Sequence, residues 1–456
     1  MTQTKAGGPD SVAAPGTPAG QPQAALGTPP GQPPVGPGVP AGAEKPVPLG
    51  RNRSFLLLWT GSGMAVLAER FSALPFTLVV VFAGYSKTVA GFVAFAALLP
   101  MLLVQLPAGV LVDRWDRRKI MIWADVIRLV GVTSVAVPLF FGRLFLWHLF
   151  TVAFVQGTLT IFYQLAERAA VPNVVAREQL PTALARNEAR GRAAALAGHP
   201  AGGFLFELAR WAPFASSAVL YLLSLFTLLG LKGPMRADPS KVRSSPVAGA
   251  VEGLAWVWRK RYFRVALLLV AGSNLLFQGL ILGVQFIVKE DGRSPATVSL
   301  ILAAGGIGGM CGALLGGWWI RRQSIRYIMI ITHVAWAITM PAAALTRDPL
   351  ALGTLFFLLS LIGGAVTVSG IVHQSRMTPN HLQGRVGSVV LLLVSGTSAL
   401  GAISAGWLMQ QYGIRPVLLA FGGVMVVLAL IAVVTFAGAG ADREAAESSG
   451  PSGEKV

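Results

Sequence analysis

The chain has 456 residues, 54% hydrophobic and 12% charged, with a formal net charge of +18 and a mean hydropathy of +0.64. Soluble globular chains carry about 25% charged residues, so these values exclude a wholly water-soluble fold. Continuous apolar runs near the ~20 residues that cross a bilayer select spanning helices rather than alternating barrel strands.

In chain order, residues 1–52 are rich in Pro, Gly and Ala, lack periodicity and are expected to be a disordered tail with no visible signal peptide. The first six spans are expected at Phe55–Phe82, Val89–Val110, Ile120–Phe141, Leu146–Ala166, Ala189–Leu208 and Phe214–Leu231. These occupy a first half over 53–231. A linker over 232–264 ends in AVEGLAWVWRKRYFR, which reads as a basic amphipathic helix on the membrane surface. A second half over 265–437 holds spans at Val265–Val288, Thr297–Ile320, Tyr327–Leu345, Ala351–Val372, Gly387–Met409 and Val417–Phe436, followed by a second disordered tail over 438–456. Twelve spans put both termini on one side. With that side cytoplasmic, 28 of the 37 Lys and Arg residues are inside, seven are outside, and Arg70 and Arg128 lie within spans. That asymmetry is the positive-inside pattern of a multi-pass cell-membrane protein. The basic residues are parcelled among short loops, so the charge reports orientation and contact with lipid heads, not nucleic-acid binding. The lone cysteine, Cys311, excludes an intrachain disulfide and a cysteine-based metal site. No metal or cofactor is expected, and the assembly expected is a monomer.

The halves resemble each other. RRKIMI at Arg117–Ile122 has a counterpart in IRYIMI at Ile325–Ile330, and Gly109 matches Gly317 at the same separation. Pro172-Asn173 recurs as Pro379-Asn380. Parallel repeats of this kind place a binding site between the halves near the midplane.

Between the second and third spans lies GVLVDRWDRRK, Gly109 to Lys119. An acid at a helix end followed by close arginines can latch neighbouring helices. Asp113 suits the N-terminus of another helix, and Arg117 and Arg118 suit acids such as Glu167. A plain positive-inside loop explains the arginines but not the Gly–Asp spacing. The segment resembles the signature loop of the major facilitator superfamily, with Gly109, Leu111, Asp113, Arg114, Arg117 and Arg118 in place and Asp116 where glycine is usual. It is similar to the drug:proton antiporter branch that includes macrolide-efflux-type proteins, as are NEARGRAAALAG (Asn187–Gly198), SPATVSLILAAGGIGGMCGALL (Ser294–Leu315) and TPNHLQGRVGSV (Thr378–Val389). The resemblance covers about Arg51 to Phe436. It implies an all-α fold of two pseudo-symmetric six-helix halves, with Asp113 capping the eleventh span close to Arg385.

The resemblance also bears on GHPAGG in the fifth span. Exporters of the superfamily commonly carry Gly-Pro-x-x-Gly-Gly there; here His199 takes the proline position and the proline moves to Pro200, while Gly198, Gly202 and Gly203 match. Gly198 and Gly202 share a face, and the eighth span offers a stripe at Gly308, Gly312 and Gly316. Small residues let backbones approach, so these spans are expected to form a seam about which the halves rock. Static packing explains the glycines equally well.

Glu69-Arg70 lies deep in the first span, with Glu69 the only acid placed near the bilayer centre. A charge there costs ~3 kcal/mol on insertion scales and usually faces a cavity or a partner. Adjacent helical residues point about 100° apart, so mutual neutralisation is not expected. Glu69 is assigned to proton and substrate coupling, with a buried ion pair fixing helix packing as the alternative. Gln156, Asn274, Gln278, His333 and His373 are cavity candidates or else interhelical hydrogen-bond partners, and aromatics such as Phe71, Phe76, Phe162, Tyr163 and Phe277 line a pocket or face lipid and packing. Asn187, Glu188, Arg190 and Arg385 form an inner gate or a solvated helix start. The chain has no Gly-x-x-x-x-Gly-Lys-Ser/Thr loop and no soluble domain for an ATPase. Its partners are expected to be the bilayer, a small hydrophobic or amphipathic molecule and protons. Proton-coupled export by alternating access is the expected activity. Import on the same fold is the alternative, ahead of a membrane receptor or enzyme.

Overall fold

The structure, a computed structural model, describes residues 47–231, 235 and 246–438. The tails expected over 1–46 and 439–456 lie outside the described residues, as does most of 232–245. The first half consists of α1 (Arg53–Phe82), α2 (Lys87–Leu103), α3 (Gln105–Arg114), α4 (Arg117–Phe140), α5 (Leu146–Val174), α6 (Leu180–Leu208) and α7 (Ala212–Gly230). After α8 (Pro246–Arg259) follow α9 (Arg261–Glu290), α10 (Pro295–Arg322), α11 (Ile325–Leu345), α12 (Pro349–Met377), α13 (Gln383–Tyr412) and α14 (Ile414–Phe436).

Local chemistry sets many boundaries. Ser86, Asp116 and Asp348 cap the N-termini of α2, α4 and α12 with their side-chain oxygens. Asn52 caps α1 and donates to the Val174 carbonyl at 2.7 Å, tying the start of α1 to the end of α5. The second expected span is broken: α2 and α3 meet at 55°. Pro107 explains the break, because its ring lacks an N–H and clashes with the carbonyl four residues back, at Leu103.

Among the described residues, ten helices are long and apolar enough to span a bilayer, or eleven with α2 and α3 as one bent span, against the twelve expected. The fifth expected span makes the difference. Its helix, α6, opens with Arg186, Glu188, Arg190 and Arg192 and is rich in Ala and Gly, so its hydropathy is low. At ~1.5 Å per residue its 29 residues are nevertheless long enough to cross, and it packs against α1 on one side and α10 on the other.

The packing repeats between the halves. In the first, α1 packs on α7 and α6, α4 on α7 and α5, and α2 on α5; in the second, the equivalent pairs are α9 with α14 and α13, α11 with α14 and α12, and α10 with α12. Across the halves α2 meets α13 and α6 meets α10, two contacts that a two-fold axis interchanges. The turns repeat as well. Gly84 and Gly292, 208 residues apart, both take positive φ, at 88° and 68°. Each ends its helix with the same pattern, in which Tyr85 N donates to Val80 O and Arg293 N to Val288 O. The expected surface helix, α8, packs on α13: Val257 is fully buried, while Val251, Leu254 and Trp258 are exposed on its other side.

Candidate functional site

Glu69 and Arg70 sit midway along α1, with side chains 22% and 33% exposed. Arg70 Nε lies 3.4 Å from Glu69 Oε2, so an ion pair forms where divergent directions were expected; the long side chains close the angular gap. The α6 glycines seat this turn of α1. A Cβ at Gly198 would strike Arg70 Cβ, and one at Gly202 would lie 2.6 Å from the Phe71 carbonyl oxygen. The expected mating of this stripe with the eighth span therefore does not occur. Gly308, Gly312 and Gly316 instead face Phe357, Leu361 and Ala365 of α12, and α6 meets α10 through Gly203 against Ser299. Pro200 lies inside α6, which continues past it to Leu208.

Between the halves lies a cavity of about 1170 Å³. Among the described residues, Glu69 and Arg70 are the only Asp, Glu, Lys or Arg side chains on its wall. His199 adjoins them. The second half supplies aromatic surface, with Phe277 and Trp336 in edge contact at 4.9 Å and Phe356 nearby. Gln156, Asn274, Gln278 and His373 line the cavity, as do Phe76 and Phe277. His333, Phe71, Phe162 and Tyr163 do not. The His333 ring is buried beside Trp336, with Nδ1 2.8 Å from the Met329 carbonyl.

The structure adds a second intramembrane acid. Asp125 is fully buried on α4, and its Oδ1 accepts from Arg128 Nη2 at 2.6 Å. Sequence reasoning placed Arg128 within a span but gave it no partner. The Asp-x-x-Arg spacing, one helical turn, was the available signal.

At the end of the bundle where α1 begins, the charged residues sort differently from expectation. Arg117 donates to the Ala169 carbonyl and to Asn173 Oδ1, both at 2.8 Å, and Arg118 donates to the Leu228 and Leu229 carbonyls at 3.0 Å. Both satisfy the C-terminal carbonyls of neighbouring helices, where a cation also complements the helix dipole. Glu167 pairs with neither of them; it accepts from Arg190 at 2.5 Å and from Asn187 at 3.4 Å. Glu188 pairs with Arg192 on the exposed face of α6. Arg385 pairs with Glu252 of α8 and not with the signature loop. Asp113 and Arg114 are exposed, and α13 has no side-chain cap, so the expected Asp113 cap is not made. Gly109 has no neighbour within 4 Å of a built Cβ. Replacing Glu167 with Gln keeps an acceptor but leaves the largely buried Arg190 without its counter-charge. Thermal unfolding of Glu167→Gln is expected to register a loss of about 1–3 kcal/mol, and an unchanged melting temperature would refute this account.

At the opposite end the halves are bridged. Lys87 Nζ lies 3.4 Å from Glu290 Oε1, its backbone N–H donates to Gln410 Oε1 at 3.0 Å, and Ala296 N–H donates to Glu207 Oε2 at 3.0 Å. The backbones of Gly91 and Gly406 touch beside these bridges. The cavity wall runs from Gln285 near this end to Gln374 and Gly387 near the other.

Similarity to known proteins agrees with this architecture. The multidrug efflux pump Tap of Mycolicibacterium fortuitum is 26% identical over 75% of this chain and 86% of its own length. Macrolide efflux protein A of Streptococcus pyogenes is 24% identical over 83% and 94%. The crystal structure of the nucleoside transporter NupG superposes with a TM-score of 0.70 at 15% identity, covering 84% of this chain and 98% of that one. A bacterial homologue of the human lysosomal transporter Spinster, in an inward-facing and unoccupied conformation, gives 0.67 at 14% identity, covering 87% and 98%. The transmembrane secretion effector family matches residues 46–454. A chain with this two-fold helix arrangement, this interhalf cavity and a family match across nearly all of its length belongs to that family, MFS_3, and is a multi-pass transporter of the major facilitator superfamily.

Proposed function

We propose that the chain exports a hydrophobic or amphipathic small molecule in exchange for protons, by alternating access. The observation that carries this reading is the cavity wall: one carboxylate, Glu69, with one adjacent arginine in a surface otherwise made of aromatic, aliphatic, amide, hydroxyl and imidazole groups. Such a wall binds apolar surface by excluding water and has one acid that can exchange a proton. The names of the similar efflux proteins support export over import. The distribution of basic residues supports an orientation with both termini in the cytoplasm; in that orientation the bridged end faces outward and the cavity extends toward the cytoplasm.

In the proposed cycle, ionised Glu69 pairs with Arg70 while substrate enters from inside. After the halves rock, a proton from outside neutralises Glu69, and Arg70 loses its counter-charge. The changed wall charge favours release. The return swing carries the proton inward, where Glu69 ionises again.

Accumulation of lipophilic dyes and macrolides in pump-deficient bacteria tests this reading. Expression of the chain is expected to lower accumulation of at least one compound, and a protonophore to restore it. Higher accumulation on expression would turn the reading to import, and efflux indifferent to the protonophore would refute proton coupling.

A further inference from the structure

Behind the cavity wall, the first half holds a polar cluster that the proposed cycle leaves unused. Arg128, 2% exposed, lies between two tyrosine rings, 4.4 Å from the centroid of Tyr163 and 4.7 Å from that of Tyr221. Its counter-ion, Asp125, accepts from Arg128 through Oδ1 and from Ser224 Oγ through Oδ2, both at 2.6 Å. Tyr163 extends the cluster to Ser224 at 3.4 Å and Ser62 at 3.5 Å. Helices α1, α4, α5 and α7 all contribute to it.

Two features aim the cluster at the cavity. Tyr221 is fully buried in the packing yet forms part of the wall, with its ring against the Arg128 guanidinium. Gln156, also on the wall, donates to the Arg128 backbone carbonyl at 3.4 Å and leaves its own Oε1 unpartnered. Ser217, one turn before Tyr221 on α7, donates to the carbonyl of Ala68, the residue before Glu69, at 2.8 Å, so this stretch of α7 packs on the Glu69 turn of α1. The second half has no such unit. Positions 208 residues on from Asp125 and Arg128 are His333 and Trp336, packed ring against ring. Fixed charge is thus held behind the one half whose wall carries a titratable acid.

We propose that Asp125 and Arg128 are positioning residues that set the proton affinity of Glu69 across the Tyr221 wall. Arg128 favours the ionised carboxylate, Asp125 opposes it, and the clamp of Tyr163, Tyr221 and Ser224 fixes their distances. The other titratable or charged groups facing Glu69 are Arg70 on its own helix and His199 on α6; the Glu167–Arg190 pair lies nearer the end of the bundle where α1 begins, and Arg190 donates to the Trp59 carbonyl there. Helices α2 and α9 present no charged side chain to this part of the wall.

The inference rests on Glu69 as the proton-binding group, but its test needs no transported substrate. Dicyclohexylcarbodiimide modifies protonated carboxyls in apolar surroundings, and mass spectrometry of the Glu69 peptide from the purified full chain reads the pH of half-maximal labelling. Asp125→Asn removes a negative charge and is expected to move that pH down. Arg128→Gln removes a positive charge and is expected to move it up. Each shift is expected to be about 0.5–1 pH unit, the scale of one nearby charge at an effective dielectric near 20. Arg128→Lys, which keeps the charge, is expected to label like the unsubstituted chain. A merely structural role would not produce opposite shifts from the two partners of one ion pair. Shifts of the same sign, or none in Asp125→Asn with helical content intact, would overturn the proposal. If Arg128→Gln fails to fold, Asp125→Asn and Arg128→Lys decide. Glu69 that labels at no pH in the unsubstituted chain would overturn the proton-site reading and this inference together, a failure seen before any variant is compared.

Discussion

Pump-deficient cells producing the Glu69→Gln chain are expected to accumulate a transported dye to the level of cells without the transporter. Glutamine keeps the shape and hydrogen-bonding reach of Glu69 but cannot release a proton. It also leaves Arg70, held 3.4 Å away and one-third exposed, without a counter-charge at any stage of the cycle. Proton exchange, and with it the link to the gradient, is lost at one atom. Binding is a different matter, since the aromatic and amide walls remain. Exchange of labelled for unlabelled dye across vesicles with no pH gradient is therefore expected to persist in Glu69→Gln. Loss of gradient-driven efflux with retained exchange separates coupling from binding. Glu69→Asp keeps the acid on a shorter stem, away from Arg70, and is expected to restore part of the efflux. Full efflux by Glu69→Gln that still collapses with a protonophore would remove Glu69 from the coupling step.

Glu69 was legible because a charge among nearly twenty apolar residues has few innocent explanations. Asp125 was not. It follows Arg117, Arg118 and Lys119 by only two helical turns, which sets it near the charged end of its span and away from the bilayer centre in the sequence. Only the fold reveals that the α4 face bearing Asp125 and Arg128 turns inward onto α5 and α7. Span positions and the 208-residue repeat were readable because bilayer thickness and backbone hydrogen bonding leave few solutions; the bend between α2 and α3 was not read, since Pro107 sits in an apolar run that passes for one continuous span. Partners of the glycine stripes were not readable. Gly198 and Gly308 carry the same local signal, yet one stripe seats α1 and the other seats α12, a choice made by tertiary packing. The Asp113 latch expected from family resemblance depends on how closely the halves approach at its end of the bundle. Here the polar bridges between halves found at Lys87 and Glu207 lie at the other end, and Arg385 turns to Glu252 instead.

Those bridges flank the contact whose substitution is expected to stop transport without unfolding the protein. A Cβ built on Gly406 lies 2.7 Å from the Lys87 carbonyl oxygen and 2.8 Å from Gly91 Cα, all across the boundary between halves. Both neighbours are backbone, so no flexible side chain can yield, and Gly406→Val must hold α2 and α13 apart at this end. Overpacking of this kind costs about 1–3 kcal/mol, charged to the closed arrangement alone, because each half keeps its own core. Every ~1.4 kcal/mol shifts a two-state population tenfold. In a Cys311→Ser background, Gln285→Cys reports on this end, since Gln285 lines the cavity and is 2% exposed. Gly406→Val is expected to raise its labelling by an impermeant thiol reagent from outside by about tenfold or more, and to reduce efflux to background. Gly312→Val gives the contrast. Its clash is with the Leu361 carbonyl inside the second half, in both arrangements of the halves, so the expected result is loss of folded protein. If Gly406→Val lowered the melting temperature as much as Gly312→Val, or left efflux intact, the Gly91–Gly406 contact would be a packing detail rather than the closure on which alternating access depends.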